Sequence, residues 1–499
     1  MVEKLQNPKR VQTFQKIIET NSIYVDKTSY LAKMIEGSPK SLFLARPNGF
    51  GKTMTVSTLE SIFSGNRELF KGLAIEKKLN EKNFSPRPVI HLDMTAVCAI
   101  NEQRDFEKNL SEYTIKIASD HGVELSSDLG ASCLFRQLIQ NVSQKNNSRV
   151  VVLIDEYDSP FQDLLDNPKR AKKVRELLRG YYTLLKSSDK YISFVFVTGF
   201  NKSIQGGLYS GFNHLFDISI LEEYGALTGF TQDEIELYYK QQIEEAAKSL
   251  NLSQSELLVK MKRYYNGFSF DGETLLYNPL SLLQFFSAQE FDNFCSKNGN
   301  EKQLVSFFRK KRLTLDEFRG SPASRFSVFT PECDRNRDPH MYLYQLGYLS
   351  LRSNDNICSY VLDFPNIEVQ QSLSRYLLES YFETADIVES LITRLLKAVA
   401  TLDPAGLVSE LNVVLANFSH DQYDESFFDE DFYRGQLLTL LYAAKLDPEI
   451  VTDSKLGRTD LVINYGGQTW VLALTLNDMD DIPKVPQVKI SVKQILDKE

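Results

Sequence analysis

The sequence has few cysteines and histidines, the residues that form disulfide bonds in extracellular proteins and bind zinc in metalloproteins. Its 499 residues include five cysteines and five histidines. The cysteines form no CxxC pair and their number is odd, so no disulfide framework is predicted and a reducing compartment fits. The histidines show no HExxH or HxH spacing, so the sequence offers no zinc site.

Long apolar runs are also absent. No run approaches the ~18 residues that a membrane-spanning helix needs. The first residues, MVEKLQNPKRVQTF, lack the apolar core of a signal peptide. We therefore expect a cytoplasmic protein with no membrane partner; export by a signal that the sequence does not reveal stays open.

The remaining composition is that of a folded globular protein, with 42% hydrophobic and 25% charged residues. Roughly two to four domains are expected, at ~100–200 residues each. The net charge of -9 argues against a protein coated in nucleic acid, but not against a local basic groove.

The first half of the chain alternates apolar runs with helical patterns, which predicts an α/β layered sheet. The runs are rich in Val, Ile and Phe and nearly continuous in apolar character, as in strands of a parallel sheet that are buried on both faces. The candidate strands are 41–45, 88–94, 149–155, 191–198 and 216–220, with helical stretches at 54–63, 104–118 and 168–186. Farther on, Thr231 and Glu234 have the spacing of a capping box, which predicts the start of a helix.

The stretch RPNGFGKT, residues 46–53, lies between the strand SLFLA and the helical pattern MTVSTLESIF. A phosphate-binding loop has this setting, because backbone N–H groups and the positive end of a helix then face the phosphates. In the motif GxxxxGK[ST], the lysine reaches the β- and γ-phosphates and the hydroxyl holds Mg²⁺. Lys52 and Thr53 match these positions, but Arg46 replaces the first glycine, and a turn before a helix is the alternative.

The strand VVVLID ends in two acids, Asp155 and Glu156. Asp155 would hold Mg²⁺ through water, and Glu156 would orient and deprotonate an attacking water. Strands that end in solvated acids are common, yet this one together with the upstream Gly-Lys-Thr favours a nucleotide site. A third strand, FVFVT, ends at Thr198 and is followed by Asn201; either residue could contact the γ-phosphate or the water, or simply form a turn.

Six separated motifs resemble, in order, the AAA-ATPase-like family of bacterial proteins. They are YVDKTSYLAKMI, FLARPNGFGKTMTVSTLESIF, VVLIDEYDSP, VTGFNKSIQGGLYSGFNHLFDIS, YGALTGFTQDEIE and YNGFSFDGETLLYNPLSLLQFF. The resemblance covers residues 8–290 and implies an ATP-binding P-loop ATPase of the additional-strand type.

The family's usual loop reads RPRRFGKS, so the resemblance accounts for Arg46. Asn48 and Gly49 replace two arginines, which removes two cationic side chains from the phosphates. The resemblance implies that Asp26 and Lys27 matter near the site, where sequence physics alone indicates a surface turn. The nucleotide-binding loop would comprise Arg46, Pro47, Asn48, Gly49, Phe50, Gly51, Lys52 and Thr53. No arginine finger is assignable, and Arg179 is only a guess.

The resemblance also implies a C-terminal PD-(D/E)XK nuclease-like domain, whose acids bind Mg²⁺ and whose lysine helps to activate water. LGRTDLVINYGGQTWVLALTLND, residues 456–478, has the layout of its signature, and NYGGQ predicts the hairpin turn. Asp460 stands in the first metal position, but Ala473 and Thr475 occupy the positions of the glutamate and lysine. A retained fold without catalysis is the favoured interpretation. Glu449 is a possible partner of Asp460, and a migrated site using Asp478 or Asp480 is the alternative.

These patterns predict four parts. They are a P-loop core (1–225), a helical lid (226–290), a mixed linker (291–367) and a helical segment with the degenerate, restriction-endonuclease-like domain (368–499). ATP and Mg²⁺ are the expected cofactors, with hydrolysis by Glu156 and Lys52. One alternative is a non-hydrolysing module that binds nucleotide and holds a protein partner through its C-terminal domain. The other is a metal-dependent nuclease.

Two basic runs, 168–179 and 308–312, could meet phosphates or an acidic partner, although a solvated helix face is the commoner use.

Overall fold

The first sheet and the helices around it are encoded by the alternation of apolar strands and helical segments. The computed structural model describes residues 13–99, 105–126, 128–162, 168–200, 215–295, 301–311, 313–324, 328, 338–354, 359–382, 384–416, 430–451, 460–476 and 486–491. The chain forms two compact units. The first contains Met1–Lys262, Asn266–Glu290 and Pro322–Val361, and the second contains Arg263–Tyr265, Phe291–Ser321 and Leu362–Glu499.

The helices lie mostly where the 3.6-residue pattern predicts them. In chain order they are α1 (Phe14–Glu19), α2 (Thr28–Glu36), α3 (Lys52–Phe63), α4 (Met94–Ala99), α5 (Phe106–Asp120), α6 (Ala131–Lys145), α7 (Ser159–Gln162), α8 (Pro168–Ser187), α9 (Gln232–Tyr238), α10 (Lys240–Ser249), α11 (Gln254–Tyr265), α12 (Pro279–Ala288), α13 (Glu301–Lys311), α14 (Pro339–Gln345), α15 (Ile367–Tyr381), α16 (Ala385–Ala400), α17 (Pro404–Ala416) and α18 (Glu430–Ala443). The predicted capping box is confirmed, since the Thr231 hydroxyl accepts from the Glu234 N–H and the Glu234 carboxylate accepts from the Thr231 N–H. None of the helices in the described ranges has the length and apolarity to cross a membrane.

The strands form three sheets. In chain order they are β1 (Ser41–Ala45), β2 (Val89–Asp93), β3 (Val150–Asp155), β4 (Ile192–Gly199), β5 (Phe216–Asp217), β6 (Ser321–Ser324), β7 (Ser350–Asn354), β8 (Ser359–Asp363), β9 (Glu449–Val451), β10 (Asp460–Tyr465), β11 (Gln468–Leu476) and β12 (Pro486–Ser491). The five-stranded sheet has the order β2-β3-β4-β1-β5, and its strands pair in parallel. This confirms the predicted α/β class with a parallel sheet. It also places β4 between β1 and β3, so an added strand separates the two strands that carry the candidate site.

The fifth strand is shorter than predicted. Only Phe216 and Asp217 pair with β1, although the apolar pattern extends to residue 220. Beyond Asp217, the side-chain Oγ of Ser219 accepts the Ala45 N–H at 2.9 Å, and the Asp217 carboxylate accepts the Ser219 N–H at 2.8 Å. Side-chain hydrogen bonds therefore replace the strand ladder at this point, an exchange that serine and aspartate commonly offer to the backbone.

The large sheet is buried on both faces because alternate residues of its strands point to opposite sides. Val150, Val152 and Ile154 of β3 join a core that contains buried residues of α5, α6 and α8. Val151 and Leu153 join a second core that contains residues of α2 and α3. Helices thus cover both faces of the sheet, and its carboxyl edge presents the ends of β1, β3 and β4 together.

The second unit contains a separate four-stranded sheet of order β12-β11-β10-β9, in which neighbouring strands are antiparallel. The predicted hairpin is confirmed, because Tyr465 pairs with Gln468. Gly466 and Gly467 have φ of 58° and 77°, which suits the two-residue turns of hairpins. Within this unit α13 and α18 pack against α15, and α17 packs against α16.

Replacement of Leu153 by alanine should destabilise the first unit by about 2–5 kcal/mol, because the side chain is fully buried and its removal leaves a cavity. Leu237→Ala is the matched control, since Leu237 is 72% exposed and such a change typically costs under about 0.5 kcal/mol. Urea unfolding followed by far-UV circular dichroism measures both. Equal effects of the two substitutions would contradict the burial of the sheet on both faces.

Candidate functional site

The phosphate-binding candidate is the loop between β1 and α3. Gly49 and Gly51 have φ of 84° and 87°, a left-handed conformation that glycine adopts without steric cost. A Cβ on Gly49 would also lie 2.7 Å from Oδ1 of Asn278, whereas one on Gly51 would meet nothing within 4 Å. The loop turns directly into Lys52, the first residue of α3. The first N–H groups of a helix have no intrahelical acceptor, so they are available to an anion.

Later parts of the first unit hold this loop in place. Phe50 is 1% exposed, and its ring packs edge-on against Phe268 and Phe270, with centroids 4.9 and 5.1 Å away. Asn278 donates from Nδ2 to the carbonyl of Asn48 at 3.3 Å. The loop is therefore shaped by aromatic packing and a side-chain amide as well as by its own glycines.

Arg46 occupies the position of the missing glycine, and its side chain is buried within the protein. The guanidinium donates to the carbonyls of Ser219 and Ala45 at 2.5 and 2.9 Å and to Thr228 Oγ1 at 3.1 Å. It also lies 4.1 Å from the ring centroid of Phe270, within cation–π range. Burial lowers the pKa of Arg46 to about 10, so the group stays charged at neutral pH. The predicted nucleotide contact of Arg46 can then involve its backbone, whereas its guanidinium is engaged elsewhere.

Lys52 is also buried, at 4% exposure, and its ammonium group lies inside the loop. Nζ donates to the carbonyls of Arg46 and Pro47 at 3.0 and 3.4 Å and to Asn48 Oδ1 at 3.4 Å. It also forms an ion pair with Glu156 Oε1 at 3.0 Å. The structure therefore brings the predicted phosphate-binding lysine and the predicted base into direct contact.

The two acids after β3 have different surroundings. Asp155 is 2% exposed, and its Oδ1 accepts from Thr198 Oγ1 at 2.6 Å and from the Glu156 N–H at 3.1 Å. Glu156 has φ of 50°, an uncommon conformation for a residue with a side chain, and such strain clusters at functional sites. The strained turn directs the Glu156 carboxylate to Lys52.

Thr198 lies at the carboxyl end of β4, where the sequence predicted it. It is fully buried, and its hydroxyl donates to Asp155. In this conformation it orients the predicted metal-binding carboxylate, and a direct contact with the γ-phosphate stays a prediction. Asn201, the other residue predicted there, lies outside the described residues.

The available donors fit a magnesium ion that is bound together with phosphates. Thr53 follows Lys52 in the first turn of α3 and is partly exposed, and Asp155 lies at the carboxyl end of β3. Hydroxyl and carboxylate oxygens are the ligands that Mg²⁺ prefers, with water and substrate phosphates completing its shell. Among the described residues no group of three or more His, Cys, Asp or Glu side chains could hold a metal ion.

Asp26 and Lys27 connect other parts of the first unit. Asp26 accepts from the N–H and hydroxyl of Thr28 at 2.9 and 2.6 Å and from the N–H of Ala74 at 2.7 Å. Lys27 is 9% exposed and pairs at 2.6 Å with Glu234, the glutamate of the α9 capping box. These contacts explain why the motif is more than a surface turn; the predicted nucleotide contact of Asp26 is not among them and stays a prediction.

Sequence reasoning missed the residues that support the loop. Ser219, Phe270 and Asn278 hold Arg46 or the loop backbone, yet no spacing rule connects them with residues 46–53. Asp158 is likewise buried, and both of its carboxylate oxygens accept the Phe200 N–H, at 3.0 and 3.1 Å. The sequence contains one indication of their role: Phe270 and Asn278 lie inside YNGFSFDGETLLYNPLSLLQFF, one of the six motifs that resemble the family.

The second candidate site lies on the four-stranded sheet of the second unit. Asp460 begins β10 and pairs with Val451. Ala473 and Thr475 of β11 pair with Lys489 and Gln487 of β12. Because β10 and β11 are antiparallel and Leu461 pairs with Leu472, positions 460 and 473 lie opposite each other on these two strands. Glu449 is exposed on β9, and Asp478 and Asp480 lie outside the described residues.

Comparison with known proteins places a family match on the part of the chain that contains the first site. Residues 8–209 match the model of the AAA-ATPase-like family, described as "Predicted AAA-ATPase". This match confirms the predicted resemblance over that part of the chain and supports a nucleotide-binding function of the ATPase type. The nuclease-like domain stays a prediction.

One relative extends over nearly the whole chain. It is the "Uncharacterized protein in vnfD 5'region" of Azotobacter chroococcum mcd 1, which is 29% identical over 484 residues and covers 93% of this chain and 88% of its own. Two solved structures align with the chain, the ORC2 protein of Aeropyrum pernix in ADPNP-ADP complexes and the ORC1 protein of the same organism in complex with DNA. Their identities are 12% and 13%, they cover 76% and 72% of this chain and 96% and 91% of their own, and the TM-scores are 0.31 and 0.28. TM-scores this low carry no argument about this chain.

Replacement of Arg46 by lysine should lower the free energy of unfolding by about 2–4 kcal/mol, because lysine cannot reproduce the fork of hydrogen bonds and leaves buried carbonyls unpaired. Arg136→Lys is the control, since Arg136 is exposed on α6. Urea unfolding at neutral pH measures both variants. If Arg46→Lys were as stable as the control, the guanidinium would not be what holds the loop.

Two histidines in the same unit should give opposite pH dependences. Burial alone would lower the pKa of His91, but the hydrogen bond to Glu60 and the charges of Glu60, Asp155 and Asp93 outweigh it and raise the pKa. Its contribution to stability is therefore present below about pH 6.5 and is lost as the pH rises through the raised pKa. Burial lowers the pKa of His121, so its contribution is instead present above about pH 6.5 and is lost as the pH falls through the lowered pKa.

The measurement is the change in unfolding free energy between about pH 5.5 and about pH 8 for wild type and two variants. His91→Gln should make stability rise more, or fall less, with pH than in the wild type. His121→Gln should shift the slope in the other direction. Slopes that move the same way in both variants would contradict the assigned surroundings of the two rings.

Proposed function

We propose that the protein binds ATP with Mg²⁺ and hydrolyses it slowly, as a conformational switch. The observation that supports this most strongly is the contact between Lys52 and Glu156 at 3.0 Å. It joins the end of the candidate phosphate loop to the end of β3, across the carboxyl edge of a parallel sheet. Ligands bind at this edge in open α/β sheets.

Each residue has a role that its position supports. Lys52 would grip the β- and γ-phosphates, and Thr53 and Asp155 would hold Mg²⁺, with Thr198 orienting Asp155. Glu156 would then take the proton of an attacking water. Bound phosphates would draw Lys52 from the loop carbonyls and from Glu156, and this exchange would free the base as the substrate arrives.

Slow turnover is expected because few cationic side chains would be available to the phosphates of a bound nucleotide. The two arginines of the family's usual loop are replaced by Asn48 and Gly49, and Asn48 supplies an acceptor to Lys52 rather than a cation. The guanidinium of Arg46 is engaged with carbonyls. Transition-state charge on the γ-phosphate is commonly stabilised by an arginine finger, which is worth about 10³–10⁵ in turnover rate, and the sequence assigns none.

The second candidate is a nucleotide-binding module that hydrolyses little. The replacement of the family's two loop arginines by Asn48 and Gly49 favours it, because fewer cations are then available to stabilise transition-state charge on the γ-phosphate. In either case we propose that the C-terminal sheet is a degenerate nuclease-like domain that holds a protein partner, since an alanine at position 473 cannot bind a metal. A nuclease with a migrated site requires metal-dependent cleavage that Asp460→Ala abolishes.

Mg²⁺-dependent phosphate release from ATP, measured with ATP affinity, tests the proposal. Lys52→Ala should abolish binding and turnover. Glu156→Gln should lower turnover by about 10²–10⁴, the usual contribution of a general base, while ATP binds at least as tightly because Lys52 has lost its carboxylate partner. Lys71→Ala, an exposed lysine, is the control.

The outcomes separate the candidates. Turnover lost in both site variants, with tight ATP binding kept in Glu156→Gln, supports the switch ATPase. Wild-type binding that depends on Lys52 without any turnover supports the non-hydrolysing module. Wild-type protein that neither binds nor hydrolyses ATP would contradict both.

A further inference from the structure

Helix α8 has an exposed face that is rich in cations. Its sequence is PKRAKKVRELLRGYYTLLKS, in which Glu176 is the only acid. The exposed cations are Lys169, Arg170, Lys172, Lys173, Arg179 and Lys186. Glu176 pairs loosely with Lys172 at 4.0 Å, and the two side chains are 67% and 74% exposed. A chain with a net charge of -9 thus concentrates positive charge on one helix.

Four of these cations form a stripe in which Glu176 also lies, and Lys173 and Arg170 lie to one side of it. At ~100° and ~1.5 Å per residue of an α-helix, Lys169, Lys172, Arg179 and Lys186 fall within roughly a third of the circumference and extend over about 25 Å. Duplex DNA carries one negative charge per ~1.7 Å of its axis, so a straight stripe of this length can face many phosphates. A solvated helix face does not require its cations to be aligned.

The opposite face of α8 is the buried one. Val174, Leu178, Tyr181, Tyr182 and Leu185 are all less than 5% exposed, and they belong to the core on that side of the sheet. The exposed face therefore has little apolar surface to offer. Protein interfaces have apolar cores in which lysine is depleted, whereas contacts with nucleic acid backbones are made mainly by lysine and arginine.

One cation of the second basic run, Arg309, is hydrogen-bonded within its own unit. Arg309, on α13 in the second unit, donates from its guanidinium to the carbonyls of Ser380 and Phe382 at 3.3 and 3.0 Å. Its guanidinium therefore caps the C-terminal end of α15. The side chains of Lys310, Lys311 and Arg312 lie outside what the structure describes.

We propose that the exposed face of α8 binds the phosphate backbone of a nucleic acid, without reading its sequence. The net negative charge of the chain repels polyanions, so binding has to depend on this local cluster. The shared chemistry is the phosphodiester backbone, which DNA and RNA both supply.

The position of α8 gives this surface a connection to the nucleotide site. The Tyr182 hydroxyl, on the buried face, donates to the carbonyl of Tyr157 at 3.2 Å, and Tyr157 directly follows Glu156. A nucleic acid on the outer face would therefore lie on the helix whose inner face supports the candidate base. This connection rests on the proposed function, whereas binding itself does not.

The test measures binding of the full chain without any nucleotide, so it is independent of ATP hydrolysis. The probes are a fluorescent DNA duplex of about 30 base pairs, long enough to cover the helix face, and a single-stranded RNA of similar length. Fluorescence anisotropy is recorded between about 50 and about 200 mM salt. The variant combines Lys169→Gln, Lys172→Gln and Lys186→Gln, and the matched control combines Lys71→Gln, Lys77→Gln and Lys82→Gln, which are exposed elsewhere in the first unit.

We expect binding to at least one probe, weakened by about tenfold or more in the α8 variant. Its slope of log affinity against log salt should become shallower by about 3, one for each lost phosphate contact. The control should match the wild type, and circular dichroism should show all three proteins folded. Absence of binding, or equal losses in both triple variants, overturns the proposal. Binding of polyglutamate but neither nucleic acid also overturns it, because the surface would then serve an acidic protein.

Discussion

The arrangement of the first unit depends on the burial of one charged side chain, that of Arg46. A guanidinium in the protein interior is stable only if its donors are paired, and here the backbone carbonyls of Ser219 and Ala45, the hydroxyl of Thr228 and the ring of Phe270 surround it. These groups come from β1 and from segments about 170 to 230 residues later. The end of β1 is thereby fixed to the wall on which the candidate phosphate loop rests.

Lys52 and Glu156 neutralise each other's charge within the candidate site. A lysine with 4% exposure needs acceptors, and the carbonyls of the loop together with Glu156 supply them. Phosphates would provide the same acceptors with more negative charge. Binding of nucleotide would therefore exchange one set of partners for another, and the carboxylate of Glu156 would be released by the same event that brings substrate. Under the proposed function, this exchange of partners is what would make the site a switch.

The loop also shows why the chain does not divide simply along its sequence. A Cβ on Gly347 would lie 2.7 Å from the Cβ of Pro47, so residues near 347 pack closely on the loop. Pro322–Val361 accordingly returns to the first unit, although the sequence pattern assigned these residues to a linker over 291–367. The four predicted boundaries remain predictions, but the residues that support the phosphate loop are spread over most of the first unit.

The sequence alone determined the parallel α/β sheet, the positions of Lys52, Thr53, Asp155 and Glu156, the capping box of α9 and the hairpin at Gly466 and Gly467. These features are local, because strand burial, turn conformation and helix caps depend on neighbouring residues. Tertiary structure decided the rest: the burial of Arg46, the pairing of Lys52 with Glu156, the use of the Thr198 hydroxyl by Asp155, and the hydrogen bonds of Arg309 to the carbonyls of Ser380 and Phe382. Each of these depends on which distant groups meet a given side chain, and no spacing within the sequence encodes that.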